Sequence, residues 1–368
     1  MKKVLYLGWL GHTNLGDELM WDVFRQQFFK LANTKKFELY SSDRQRLFKL
    51  KKKKHLLRHF DVIVLGGGSL LTPSYINILY NAINVNKNVE IIIWGSGIDF
   101  IEKEQLNLIN PKIGFDSRRN NKEFNIFPNR FFINKLQKVI NHSKYVALRG
   151  PYTFQALKLM GINLDKVIIS GDPGILVKGN FANNTSGEKI VAINWGTAKN
   201  KIYGKNELYI EEELVKVAIK LIGLGYQICI FPVMDNDIYP CKQLYKKIND
   251  QVNVRVITKL KNQYETAKLF RTCNFSINFK LHANVLSAVA EIPFISLGYR
   301  FKSFDFSKSV GLEKLVIATD DSNLSEKILE VANYIVDHHN KPHNLMKNMQ
   351  KHKLETKTKL DSAFSLFK

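Results

Sequence analysis

Cysteine is scarce: the 368-residue chain has three, at Cys229, Cys241 and Cys273. None falls in a C-x-x-C pair, and their spacing fits no zinc motif. No disulfide framework or metal centre is expected, and a reducing cytoplasm is the simplest setting. Long apolar runs are also missing, so no bilayer-spanning helix is expected. The opening "MKKVLYLGWLGHTNLGDELM" imitates a signal peptide, but its apolar run is short, meets Asp17 and Glu18, and has no small-residue cleavage site. Val4 to Trp9 therefore reads as a first buried strand. The loop that follows has neither the G-x-G-x-x-G of a dinucleotide fold nor the G-K-[ST] of a phosphate loop. Acidic residues are few beside basic ones, 33 Asp and Glu against 55 Lys and Arg, a formal charge of +22. That excess suits an anionic partner, but biased base composition of a genome produces the same pattern. No basic motif interleaved with aromatics stands out, so nucleic acid is not expected as a partner.

Hydrophobic residues make up 45% of the chain, ample for packed interiors, and its length suits two domains. Short apolar strands alternate with helical periods, the rhythm of parallel sheets with crossover helices. The first half reads as strands "VLYLGW", "FELY", "DVIVLG", "EIIIWG", "YVALRG" and "KVIISG". Several end in glycine, at the carboxyl ends where open α/β sheets bind ligands. "KGNFANNTSGEK", Lys178 to Lys189, reads as a linker. A second alternation follows, through strands "IVAINWG", "YQICIFPV", "VRVIT", "FSINF" and "PFISLGY", with Gly225 as a left-handed helix stop. The expected fold is α/β: two doubly wound, Rossmann-like domains facing a cleft, residues 1–178 and 188–368. Leu324 to Lys368 forms C-terminal amphipathic helices in this reading.

Five stretches could carry chemistry. In "GHTNLGDELM", Asp17 and Glu18 open a helix, where carboxylates complement the dipole; Asp17 also suits a site, and Asn14 either bonds a sugar hydroxyl or shapes the turn. In "DVIVLGGGSLLTP", Gly66, Gly67, Gly68 and Ser69 either let a ligand approach backbone amides at a helix start or form a tight turn. The preceding "KLKKKKHLLRH" reads as a solvated helix face. In "ALRGPYTFQALKLMGI", Arg149 ends a strand, where a guanidinium can clamp a carboxylate or phosphate, or pair with a neighbour. In "ISGDPGILV", Asp172 is either turn chemistry or a base. In "NFKLHANVLSAVAEIPFISLGYRFKSF", Lys280 and His282 stand at a helix amino end, with Arg300 and Lys302 past the next strand. These cations and the helix end create a positive field suited to a small anion.

Taken in order, "GHTNLGDE", "GGGSLL", "ALRGPYT", "GDPG" and "FKLHANVLSAVAEIPFISLGY" resemble the polysaccharide pyruvyl transferase family, over roughly Lys3 to Phe304. The resemblance implies a two-domain fold like that of GT-B glycosyltransferases. It also implies transfer of the enolpyruvyl carbons of phosphoenolpyruvate onto a sugar of a cell-surface glycan, releasing phosphate and leaving a pyruvate ketal. The partners implied are phosphoenolpyruvate and a glycan or lipid-linked sugar acceptor, with no cofactor beyond the donor. The chain departs from the family at Lys280, where arginine is usual, and at Gly150, where aspartate is usual; lysine keeps the charge but loses the planar fork. On this reading Arg149 and Lys280 clamp the donor's two anionic groups, with Arg300 or Lys302 in support. His282 is the general acid, and Asp17 or Asp172 activates a hydroxyl.

Two rivals share these features. A glycosyltransferase of the same architecture would use a nucleotide-sugar donor. A noncatalytic glycan- or membrane-associated protein would bring the basic tail "KPHNLMKNMQKHKLETKTKL" to acidic lipid at the inner face of the membrane. The alternative for that tail is a helix packing back across both domains.

Overall fold

The computed structural model describes residues 1–11, 15–109, 130–178, 188–339 and 343–368. Most of the linker, residues 179–187, lies outside them. The chain divides into two compact units. The first holds the opening strand, Gly16–Pro173 and Leu354–Lys368; the second holds Gly174–Lys353.

The first unit is a six-stranded parallel sheet with flanking helices. Its strands are β1 (Lys2–Leu7), β2 (Phe37–Ser42), β3 (Val62–Leu65), β4 (Glu90–Ser96), β5 (Tyr145–Leu148) and β6 (Val167–Ile169). The spatial order is β2-β1-β3-β4-β5-β6. The central strands carry continuous apolar runs, "VIVL" in β3 and "IIIW" in β4, because helices cover both faces. The order reverses between β1 and β3, which opens a crevice at their carboxyl ends.

The second unit repeats the architecture with another winding. Its strands are β7 (Ile190–Asn194), β8 (Gln227–Phe231), β9 (Val254–Val256), β10 (Phe275–Asn278), β11 (Phe294–Gly298) and β12 (Val316–Ala318). The order is β12-β11-β10-β7-β8-β9, so the reversal falls between β7 and β10. Side-chain caps start the helices where the sequence offers them. Asn206 accepts from the Tyr209 amide, and Asn262 forms a reciprocal capping box with Glu265. Gly225, at φ +82°, ends the helix Glu207–Gly223 as expected.

The tail departs from the expected boundary at residues 188–368. The helix His343–Ser362 belongs to the second unit through Lys353, where Gln350 Nε2 donates to Glu291 Oε2 at 3.3 Å. From Leu354 the chain belongs to the first unit. There Trp94 Nε1 donates to the Leu360 carbonyl at 3.2 Å, and the Asn33 amide to the Phe367 carbonyl at 2.8 Å. Buried Phe364 lies 5.3 Å from Phe24 and buried Phe367 5.3 Å from Phe28, ring centre to ring centre. The physical reason is aromatic burial: the last residues complete the first unit's core. Among the described residues no helix is long and apolar enough to cross a membrane.

Candidate active site

The expected site residues lie at the carboxyl ends of the strands of the two sheets, one set in each unit. In the first unit, Asp17 lies in the first turn of the helix Leu15–Leu31, its Oδ1 3.5 Å from where a side chain on Gly68 would begin. Its neighbour Glu18 is occupied structurally, accepting from the Gly11 amide at 2.7 Å. Asn14 lies outside the described residues.

The glycine run packs closely within its own unit. The helix after it begins only at Pro73, so these amides are not at a helix start. Instead, a Cβ on Gly66 would fall 2.0 Å from the Tyr6 hydroxyl, and one on Gly67 would fall 2.9 Å from Met20 Sδ and Pro173 Cγ. The run is small because its own protein fills the space. Gly68, at φ +98°, then turns the chain into a bridge with Ser96.

Arg149 is fully buried at the end of β5. Its Nη1 donates to Ser69 Oγ at 2.9 Å and its Nη2 to the Ile98 carbonyl at 3.0 Å. In this position the guanidinium ties the loop after β3 to the loop after β4, rather than standing open to solvent as a clamp. Asp172 is likewise fully buried, after β6.

Tyr6 and Tyr75 belong to the same group, and sequence reasoning missed both. Burial pushes the Tyr6 phenol well above its usual range, with the Asp17 carboxylate next and Asp172 a smaller contributor. Burial and then Asp17 push Tyr75 up as well. The Tyr75 hydroxyl donates to the Gly8 carbonyl at 3.0 Å. Two phenols that hold their protons thus stand beside the half-buried Asp17. Nothing in the uniformly buried run "VLYL" singled out Tyr6 from its apolar neighbours.

In the second unit, Lys280 caps the helix Leu281–Val289 beyond β10, and His282 lies in its first turn. The Lys280 amide donates to Asn194 Oδ1 at 2.8 Å, which joins β10 to the end of β7. The Lys280 ammonium is 7% exposed as a residue and donates to the Thr197 carbonyl. It also pairs with Asp237 Oδ1 at 3.4 Å. Asp237 is fully buried and accepts from the Thr197 amide at 3.1 Å. Burial pushes its carboxyl up, and Lys280 is the largest influence pulling it back. Gly196 makes room for this pair: a Cβ there would fall 2.0 Å from Asp237 Oδ1.

Arg300 and Lys302 open the helix Phe301–Ser309 after β11, beside β10 in the sheet. Both are half-buried, as is His282. Lys302 Nζ lies 5.3 Å from the Tyr299 ring centre. One end of the second sheet therefore carries Lys280, His282, Arg300 and Lys302. Lys280 is internally neutralised; the other three stand less deeply buried. Next to Thr197, a cavity of about 500 Å³ is lined by Trp195, Thr197, Glu207, Asn236 and Tyr239, among others. Asp237 was not foreseen, because "MDNDIYP" reads as a polar turn and nothing in the sequence joins it to Lys280. Among the described residues no group of three His, Cys, Asp or Glu is placed to hold a metal ion.

The family model for polysaccharide pyruvyl transferase matches residues 14–300. The chain belongs to the polysaccharide pyruvyl transferase family. It is accordingly a transferase of polysaccharide biosynthesis, with a glycan acceptor implied by the family. The match runs from residue 14 to Arg300, so three of the five expected stretches fall wholly inside it, with most of the first and of the fifth. A comparison of this pyruvyl transferase family member with curated proteins finds no match.

Solved structures share its fold. The S. aureus MnaA–UDP co-structure has a TM-score of 0.62 at 11% identity, covering 97% of this chain and 94% of that one. A glycosyltransferase from Rickettsia africae has a TM-score of 0.57 at 10% identity, covering 100% and 97%. The Methanocaldococcus jannaschii UDP-GlcNAc 2-epimerase in complex with UDP-GlcNAc and UDP has a TM-score of 0.53 at 11% identity, covering 91% and 92%. At such identities the likeness concerns the two-domain Rossmann-like fold alone.

Proposed function

We propose that this transferase moves the enolpyruvyl group of phosphoenolpyruvate onto two hydroxyls of a glycan sugar. The observation that carries the reading is the cationic end of the second sheet, where His282, Arg300 and Lys302 follow the adjacent strands β10 and β11, next to the order reversal. Phosphoenolpyruvate carries a carboxylate and a phosphate, and its recognition needs cations for both. Arg300 offers the planar fork for one and Lys302 a point charge for the other. Lys280, held and neutralised by Asp237, fixes the start of the helix instead of acting as a mobile clamp.

His282 is the proposed acid. It gives a proton to the methylene carbon, and the central carbon becomes an oxocarbenium-like cation. A sugar hydroxyl attacks that carbon and loses its proton. The carbon–oxygen bond to phosphate then breaks, phosphate departs with the bonding pair, and a second hydroxyl closes the ketal as its proton leaves. General acid catalysis of this kind contributes about 10²–10⁴-fold. Asp17, the half-buried carboxylate of the first unit's own group, is proposed as a proton acceptor there; Asp172 and Arg149, enclosed in the same unit, hold the loops around it.

A second reading has its own support. Structures of the same fold contain UDP or UDP-GlcNAc, and the cavity beside Thr197 has the size and aromatic lining of a small-molecule site. A nucleotide-sugar donor is therefore the rival. Thermal unfolding with phosphoenolpyruvate, beside a panel of nucleotide sugars, separates the two. A ligand at a hundredfold excess over its dissociation constant stabilises the folded state by about 2.7 kcal/mol. Stabilisation by phosphoenolpyruvate, lost in Arg300→Ala and Lys302→Ala, supports pyruvyl transfer. Stabilisation by a nucleotide sugar alone overturns it.

A further inference from the structure

The stretch after β2, set aside in the sequence as a solvated helix face, forms a surface that solvation alone does not explain. The helix Arg44–Lys52 and the short 3-10 helix Lys54–His59 carry the densest positive charge in the region. Arg44 to His59 contains eight Lys and Arg residues and no Asp or Glu. Leu47, Leu50 and Leu57 are buried, which fixes the outward face. That face presents Phe48, 58% exposed, and Trp9 in the loop after β1 is 42% exposed. Both rings line one open cavity of about 570 Å³ with Arg44, Lys49 and Lys51. The Lys52 ammonium stands 4.4 Å from the centre of the Phe48 ring.

Large rings exposed among cations gain little from water. At a bilayer surface the same arrangement is favourable: rings enter the boundary of the acyl chains while ammonium groups reach the headgroup phosphates. We propose that this face docks the protein on a bilayer containing anionic phospholipid. Charge complementarity identifies the occupant, since an acid-free face of this density matches a negative leaflet. The position also fits. Gly11, in the loop after β1, lies against Arg44, so the face stands at the carboxyl ends of β1 and β2. Asp17 and Gly66 to Gly68 occupy the same edge of that sheet. Docking would hold that edge near the headgroups, where a lipid-linked sugar is displayed. The inference stands whichever donor the transferase uses.

Vesicle co-sedimentation of the full chain tests it. Phosphatidylcholine vesicles are compared with vesicles of phosphatidylcholine and phosphatidylglycerol. The expected result is binding to the mixed vesicles, weaker by about tenfold or more in the triple variant Lys49→Glu, Lys51→Glu, Lys52→Glu. Phe48→Ser should remove the part of the binding that survives high salt. These positions are exposed, and unchanged melting curves would establish that the variants fold. Three results would overturn the proposal. One is no binding to anionic vesicles. Another is binding undiminished in both variants but lost in Lys347→Glu, Lys351→Glu, which would move the contact to the terminal helix. The third is single-stranded RNA binding that the triple variant abolishes while vesicles never bind.

Discussion

Lys280 Nζ stands 3.4 Å from Asp237 Oδ1, and both side chains are buried in the second unit. The pair joins the helix start after β10 to the loops after β7 and β8. A buried pair is weak support for stability as such, but removing one partner leaves an uncompensated charge. Burial already raises the Asp237 carboxyl above its ordinary 3.8, so the folded state holds that proton more tightly than the unfolded chain. Stability from this group is therefore greatest at low pH and declines as pH rises through the raised value. Lys280→Met removes the largest opposing influence, so the decline should extend to higher pH. We expect a loss of about 3–5 kcal/mol at pH 8 and a smaller one at pH 5, read by urea unfolding. Equal losses at both values would mean that Asp237 does not titrate. The double variant Lys280→Met, Asp237→Leu should regain most of the stability.

His282→Ala should keep the fold and lower turnover by about 10²–10⁴-fold. The residue is half-buried in a helix first turn, where alanine is a good helix former. The decisive comparison is phosphoenolpyruvate affinity against rate. A proton donor that acts in the transition state changes the rate more than the ground-state affinity. A variant with wild-type turnover would remove His282 from the mechanism.

Much of this was legible in the sequence for physical reasons. Central strands buried on both faces must be largely apolar, so they announced themselves as runs such as "DVIVLG" and "PFISLGY", and eleven of the twelve strands were legible, the partly exposed edge strands "FELY" and "VRVIT" among them. β12 did not: its three residues follow directly on the short helix Glu313–Leu315 and carry too little pattern. The site residues were visible because strand ends followed by glycine or a cation are unusual places for those residues. Their partners were not. Nothing local reveals that Asp237 neutralises Lys280, that Arg149 turns inward to Ser69, or that Tyr6 fills the space Gly66 leaves. The lysine-rich face of the last helix showed that it was amphipathic, but its apolar residues could not say which unit they would join.

Gly196→Ala tests the close approach around the ion pair. The added methyl group would begin 2.0 Å from Asp237 Oδ1, and a fully buried carboxylate held by the Thr197 amide has little room to yield. Overpacking of this kind costs about 1–3 kcal/mol. Gly223→Ala is the control, since nothing lies within 4 Å of its added carbon and it belongs to a helix. That change should stabilise by up to about 1 kcal/mol. Chemical denaturation of both variants gives the comparison, and a neutral Gly196→Ala would show that Asp237 is not confined as described.

Phe364→Ala tests whether the end of the chain completes the first unit. The ring is buried against Phe24, Phe367 and Trp94, with Trp94 also bonded to the Leu360 carbonyl. Removing a buried phenylalanine costs about 3–5 kcal/mol through lost transfer energy and the cavity left behind. Leu354→Ala, nearer the start of the same segment and 66% exposed, should change stability by less than about 0.5 kcal/mol. If the two units melt separately, only the transition that quenches or shifts Trp94 fluorescence should move in Phe364→Ala. The second unit's transition, reported by Trp195, should stay in place, because Phe364 belongs to the first unit's core. Equal effects of the two substitutions would mean that the terminal residues do not dock, and that the aromatic cluster around Trp94 closes without them.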